Sequence, residues 1–204
     1  MDDAYFSETI YICRMTRTQI AIFASGTGSN ALNLIKYFAN HRQLEVAFVL
    51  SNNPNAAVIE SANQLGVATY VQTNAKVADG ELLKRFCVDR DINWIVLAGY
   101  LRKIPSELLD MYPDKVINLH PSLLPKFGGK GMYGAKVHAA VIEAKEVQSG
   151  ISIHFVNEEF DKGRMIAQFY CDVTASDDVA SLQKKIAHLE QSYLPRVVET
   201  TIIS

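Results

Sequence analysis

Asn118 and His120 stand two residues apart in the run Val116-Ile117-Asn118-Leu119-His120. If that run is a strand, period-two alternation sends both side chains to one face and Leu119 to the other. A carboxamide can hydrogen-bond a developing oxyanion and an imidazole moves protons near neutral pH, so the pair suits acyl transfer. The same residues would serve equally as a polar strand end that satisfies nearby backbone groups, and spacing alone does not separate the two readings. The stretch that follows, from Pro121 through Pro125 to Gly128, Gly129 and Gly131, is stiff at its prolines and loose at its glycines. That composition fits an active-site flap tethered at one end, or a plain solvent loop. Further on, Asn157-Glu158-Glu159-Phe160-Asp161 sets acids between two expected strands, where a solvated turn is the commoner explanation.

A second candidate is Ser25-Gly26-Thr27-Gly28-Ser29-Asn30, which follows an apolar run and opens a helical one. Free backbone N–H groups and the helix dipole can hold an anion there. Gly26 and Gly28 let the main chain approach a ligand, and the Ser29 and Asn30 side chains can add hydrogen bonds. The plainer alternative is a tight strand-to-helix turn capped by Ser29. A dinucleotide site would also need an acid at the end of the second strand, but Ser51-Asn52-Asn53 and Asn55 are neutral, and the third fingerprint glycine is Ala31. A nicotinamide enzyme is therefore disfavoured, whereas a single terminal phosphate fits.

The elements that must position these residues alternate between apolar runs and helical periods. Strands are expected at 19–24, 45–50, 68–71, 93–98 and 116–119, with helices at 29–39, 54–65, 79–90 and 135–146. Trp94-Ile95-Val96-Leu97-Ala98 is apolar without alternation, as in a parallel sheet covered on both faces. The fold class is therefore α/β, a doubly wound, mainly parallel sheet with helices on both faces. Strands at 150–156 and 165–173 are close enough in sequence to form an antiparallel C-terminal pair, and a helix over 178–200 closes the chain. Residues 1–18 show no pattern and are expected to be an extension; residues 19–204 form a single domain.

Composition narrows the class further. Of 204 residues, 49% are apolar and 21% charged, which describes a soluble globular protein with one sizeable core. The net charge of -2 offers no global field for nucleic acid. No apolar stretch approaches the roughly 20 residues that cross a bilayer, so no membrane partner is expected and a cytoplasmic location is. Cys13, Cys87 and Cys171 are odd in number and far apart, which disfavours a disulfide scaffold or a zinc site.

Four segments in order, Ser25 to Asn30, Leu97-Ala98-Gly99-Tyr100-Leu101-Arg102, Asn118 to Pro125 and His154 to Asp161, together resemble the phosphoribosylglycinamide formyltransferases, folate-dependent enzymes of purine synthesis. The resemblance runs from about residue 19 to the end. It implies the formyltransferase fold and transfer of a formyl group from 10-formyltetrahydrofolate to the glycyl amine of glycinamide ribonucleotide, with no metal. It also implies that Asn118, His120 and Asp161 are the catalytic group, with a charged His120 beside Asn118 at the oxyanion. Gly28, Ser29 and Asn30 would take the phosphate, Pro121 would lie near the glycinamide and Glu190 at the ribose hydroxyls. Leu101, Arg102, Ile104, Val156 and Asn157 would surround the folate, with Arg102 near the carboxylates of its tail. Without the resemblance, Leu101 reads as core, and Arg102 and Glu190 as surface charges.

The chain departs from the family pattern in its flap, Lys126 to Gly134, in lacking an arginine over residues 74–81, and at Ala187 one turn before Glu190. His138 is either near the site or at the edge of the core, and His41, His154 and His188 are expected to be structural. Rivals within the resemblance are a hydrolase releasing formate and a transfer-RNA formyltransferase, for whose usual extra domains the chain has no room. A rival of another class is a nucleotide-binding regulatory module without turnover.

Overall fold

The computed structural model describes residues 17–204. Residues 1–16 of the expected extension lie outside the described residues, and Thr18 already belongs to the first strand. Five strands run parallel: β1 (Thr18–Phe23), β2 (Leu44–Ser51), β3 (Ala68–Val71), β4 (Trp94–Leu97) and β5 (Val116–His120). Two more, β6 (Gln148–Phe155) and β7 (Met165–Asp172), add antiparallel to β5 and to each other, giving the order β3-β2-β1-β4-β5-β6-β7. The mixed, mainly parallel sheet with its antiparallel C-terminal pair is the architecture the apolar runs predict.

Both faces of the sheet are covered, which is why its central strands do not alternate. Ile20 and Ile22 join one core with residues of α1 (Ser29–Phe38), α2 (Ala57–Gln64), α6 (Ala135–Glu143) and α7 (Val179–Ile203). Ala21 and Phe23 join the other, with α3 (Asn74–Ala78), α4 (Gly80–Val88) and α5 (Ser106–Met111). The two short helices α3 and α5 escape the sequence reading because five or six residues show no helical period. Asp79 ends α3 and caps α4, its carboxylate accepting from the Leu82 N–H at 3.0 Å. Helix α2 begins at Ala57 rather than 54, because Asn53 Oδ1 first accepts from the Asn55 N–H and turns the chain.

What matters for function is the position of β1 between β2 and β4. Connections leave β1 toward one side of the sheet and later return on the other, so a crevice opens at the carboxyl ends of these strands. Helix α7 starts at an Asp178–Ser181 capping box, continues past Pro195 and packs along α1, α6 and the β6–β7 pair. It thereby brings Glu190 from far along the chain to the start of α1.

Candidate active site

The glycine turn after β1 is built for an open helix end. Gly28, not Ser29, is the N-cap of α1; its φ of 76° is left-handed, and no side chain caps the helix. A Cβ on Gly28 would stand 2.2 Å from Val58 Cγ2, so glycine is required both by conformation and by the neighbouring α2. The first turn of α1 contains no acid, so its uncapped N–H groups present positive potential to the cleft. Asn30 uses its side chain elsewhere: Nδ2 donates to Glu190 at 2.8 Å, and Oδ1 accepts from Gln191 at 3.0 Å. That leaves its backbone, rather than its amide group, for an anion.

The carboxyl end of β5 carries the second group. Ile117 and Leu119 pack into the α1/α7 core and Val116 into the other, so Asn118 and His120 share the Val116 side, as alternation predicts. Asp161 reaches them from the β6–β7 loop with a left-handed φ of 58°. Its neighbour Gly163 has no room for a Cβ, which would meet the Phe155 carbonyl oxygen at 1.6 Å. Asp161 Oδ1 lies 3.4 Å from Asn118 Nδ2, and Oδ2 lies 3.5 Å from His120 Nδ1. The three side chains therefore converge.

A fourth residue joins them. His154 stands directly across from Asn118 in the β5–β6 register, and its Nε2 lies 3.1 Å from Asn118 Nδ2 and 3.7 Å from Asp161 Oδ1. The Phe155 carbonyl, 2.8 Å from His154 Nδ1, can only accept, so Nδ1 holds the proton and Nε2 accepts from the Asn118 amide. The expectation that His154 is only structural is corrected: it sets which way the Asn118 amide faces. Cross-strand register is the signal that finds it, and the sequence does not print that register.

The flap start is pinned to this cluster. Ser152, opposite His120 in the register, accepts from the Leu124 N–H at 2.9 Å and donates to the Ser122 carbonyl at 2.7 Å. The Phe127 carbonyl lies 2.9 Å from His120 Nε2, and the Gly129 N–H donates to Asp161 Oδ2 at 2.8 Å. These bonds tether the flap between Ser122 and Gly129.

Burial pushes the His120 imidazole below its ordinary pKa, and the opposing pull of Asp161 and the Phe127 carbonyl does not overcome it. The resting ring is therefore neutral near pH 7, and the charge expected on His120 beside the oxyanion belongs to the reaction rather than to the resting site. Because the Phe127 carbonyl accepts a hydrogen bond from the Nε2–H, the lone pair of the neutral ring sits on Nδ1, facing Asp161. For Asp161, burial acts upward, but the polar groups around it, the Gly129 N–H on Oδ2 among them, outweigh it and hold the carboxyl below its usual range. Burial raises Glu190, and the Asn30 hydrogen bond only partly offsets this.

One cleft of about 660 Å³ collects these residues. Ser29, Asn30 and Glu190 line it from α1 and α7, and Asn118, His120 and Pro121 from the end of β5. Leu101, Arg102 and Ile104 line it from the segment after β4, and Val156, Asn157 and Asp161 from the β6–β7 loop. Leu101 is half exposed, so it is not plain core, whereas Ile104 is buried. Gly28 shapes the turn without lining the cleft. His138 and Ala187 also reach the wall. Among the described residues no three His, Cys, Asp or Glu side chains are grouped as metal ligands.

Comparison with known proteins agrees with this geometry. A family model described as formyl transferase matches residues 18–198. The chain is 38% identical over 192 residues to a chloroplastic phosphoribosylglycinamide formyltransferase of Arabidopsis thaliana, covering 89% of this chain but only 64% of that protein. It is 30% identical to the phosphoribosylglycinamide formyltransferase of Bacillus subtilis, covering 89% of this chain and 93% of the relative. The crystal structure of phosphoribosylglycinamide formyltransferase from Streptococcus pneumoniae superposes with a TM-score of 0.80 at 32% identity, covering 91% of this chain and 99% of the other. With a family model spanning nearly all of the described residues and a bacterial relative matched over nearly its whole length, this chain belongs to the formyl transferase family.

Proposed function

We propose that this chain transfers a formyl group from 10-formyltetrahydrofolate to the glycyl amine of glycinamide ribonucleotide. The observation that carries the reading is the convergence of Asn118, His120 and Asp161 between an uncapped helix end and the Leu101–Ile104 segment. The ribonucleotide phosphate sits on the N–H groups at the start of α1, with the ribose hydroxyls donating to Glu190 and the glycyl arm running past Pro121. The pterin lies against Leu101, Ile104, Val156 and Asn157, with Arg102 toward the folate carboxylates.

The amine nitrogen attacks the formyl carbon, forming the new C–N bond and moving the carbonyl electron pair onto oxygen. Asn118 Nδ2 exchanges its long 3.4 Å contact to Asp161 for a hydrogen bond to this oxyanion. The attacking nitrogen, now cationic, gives up a proton to Nδ1 of His120, and Asp161 stabilises the resulting imidazolium. When the intermediate collapses, the carbonyl reforms, the bond to the folate nitrogen breaks, and the same proton passes to that nitrogen, directly or through a water ordered by Asp161. Products are formylglycinamide ribonucleotide and tetrahydrofolate.

The test is formyl consumption with and without the amine acceptor. Turnover that requires glycinamide ribonucleotide supports the reading. Equal deformylation without it indicates a hydrolase, and tight binding of both ligands without reaction indicates a regulatory module.

A further inference from the structure

Ser25 belongs to no ligand-facing set above, yet it ties two loops that the proposed function assigns to different substrates. Its hydroxyl donates to Asn52 Oδ1 at 2.6 Å and accepts from the Leu101 N–H at 2.9 Å. Its own N–H donates to the Gly99 carbonyl at 3.1 Å. The glycine turn after β1 is thus held to the segment after β4 by two reciprocal bonds from one residue. Asn52 extends the link: Nδ2 donates to Asn74 Oδ1 at 2.9 Å, at the first residue of α3. Ser25 and Asn52 are each more than nine-tenths buried, so water replaces none of these partners cheaply.

We infer that Ser25 is a positioning residue that sets the phosphate turn and the folate segment in one mutual register, so that it governs the affinity of both substrates. This rests on the proposed function, because that reading assigns the turn to the ribonucleotide and the Leu101–Ile104 segment to the folate. The physical reason is that the sheet alone fixes β1 against β4 only as far as Phe23 and Leu97. Beyond those residues both chains are loops, and the Gly99 φ of 75° lets the second one turn sharply. Among the described residues, the hydrogen bonds that cross between them are those of Ser25 and the Ala98-to-Phe23 backbone bond.

Removing the hydroxyl in Ser25→Ala leaves Asn52 Oδ1 without that partner in a buried place and frees the Leu101 N–H at the part-buried edge of the cleft. The expected result is a rise of about 3- to 10-fold in KM for the ribonucleotide and for the folate alike, the worth of one hydrogen bond, with kcat changed less than either. Binding of the ribonucleotide and of tetrahydrofolate, each titrated alone, should weaken in parallel. Tyr112→Phe is the control for simple destabilisation: it loses a buried hydrogen bond to the Ile92 carbonyl, in the core beneath the opposite end of β4. It should melt earlier and keep parental KM values. Asn52→Ala, which removes the other half of the link but leaves the Leu101 bond, should shift both KM values in the same direction by less. Should Ser25→Ala fail to fold, Asn52→Ala carries the test. Parental KM values in the folded variant, or a shift for one substrate only, would overturn the inference while leaving the proposed function standing. A parent that binds neither ligand would instead overturn the function itself.

Discussion

Gly28→Ala is the substitution that most directly tests the link between the glycine turn and phosphate binding. The new Cβ would meet Val58 Cγ2 at 2.2 Å and Val58 Cβ at 2.4 Å. Carbon atoms in contact sit about 3.5–4.0 Å apart, so α2 or the turn must retreat by about 1.3–1.8 Å. Overpacking of this kind costs about 1–3 kcal/mol, and holding an alanine at a φ of 76° costs about 1–2 more. The sum, about 2–5 kcal/mol, corresponds to a fall in Tm of roughly 4–20 °C for a domain of this size. A displaced helix end also misaims its N–H groups. Loss of one charge-assisted bond should weaken the ribonucleotide about 10-fold or more, with much less effect on the folate. Adding Val58→Ala removes the Cγ2 clash but not the Cβ one, so the double variant should exceed additivity by about 1 kcal/mol. Thermal melts and separate titrations of the two ligands provide the measurements. A Gly28→Ala protein with the parental Tm and parental ribonucleotide affinity would refute the reasoning.

Two further substitutions test the same geometry. Asn118→Ala removes the oxyanion donor, and steady-state kinetics should show kcat lower by about 100- to 1,000-fold with KM values near those of the parent; a folded variant with parental kcat would remove Asn118 from the chemistry. Glu190→Gln keeps an oxygen to accept from Asn30 but cannot ionise, so KM for the ribonucleotide should rise about 10-fold. Because burial raises the folded-state pKa of Glu190, its stabilising contribution is complete below the ordinary value of 4.5 and is lost as pH rises through the folded value. Melting curves against pH should therefore show the parent losing stability across that window relative to Glu190→Gln.

Much of this was legible in the residues because the relevant physics is local. The apolar runs of β1, β4 and β5 announce a sheet buried on both faces, and the Asn118–His120 spacing places two side chains on one face whatever the strand's neighbours. What the residues could not show depends on pairing across the chain. His154 becomes part of the site only through its register with Asn118, 36 residues away. Asn30 loses its side chain to Glu190, 160 residues along, so its role passes to its backbone. Ser25 looks like one more small residue in a glycine turn until Leu101 and Asn52 are seen on its hydroxyl. The short helices α3 and α5 fall below the length at which periodicity speaks.

The neutral state of His120 also depends on three-dimensional surroundings, and it changes how the site works. A permanently charged imidazole would attract the formyl oxygen before reaction as well as during it, and could not relieve the attacking amine of its proton. Such an interaction stabilises ground and transition states together and accelerates little. Here burial keeps the ring neutral, the Phe127 carbonyl directs the lone pair to Nδ1, and Asp161 waits 3.5 Å away in its ionised form. In the proposed reaction the positive charge on the ring then appears only when the amine has attacked, as the oxyanion does. Asp161, too weak against burial to charge the resting ring, is placed to stabilise the charge at that moment. In that proposed reaction, the same burial that costs His120 its proton at rest is what confines its charge to the tetrahedral intermediate.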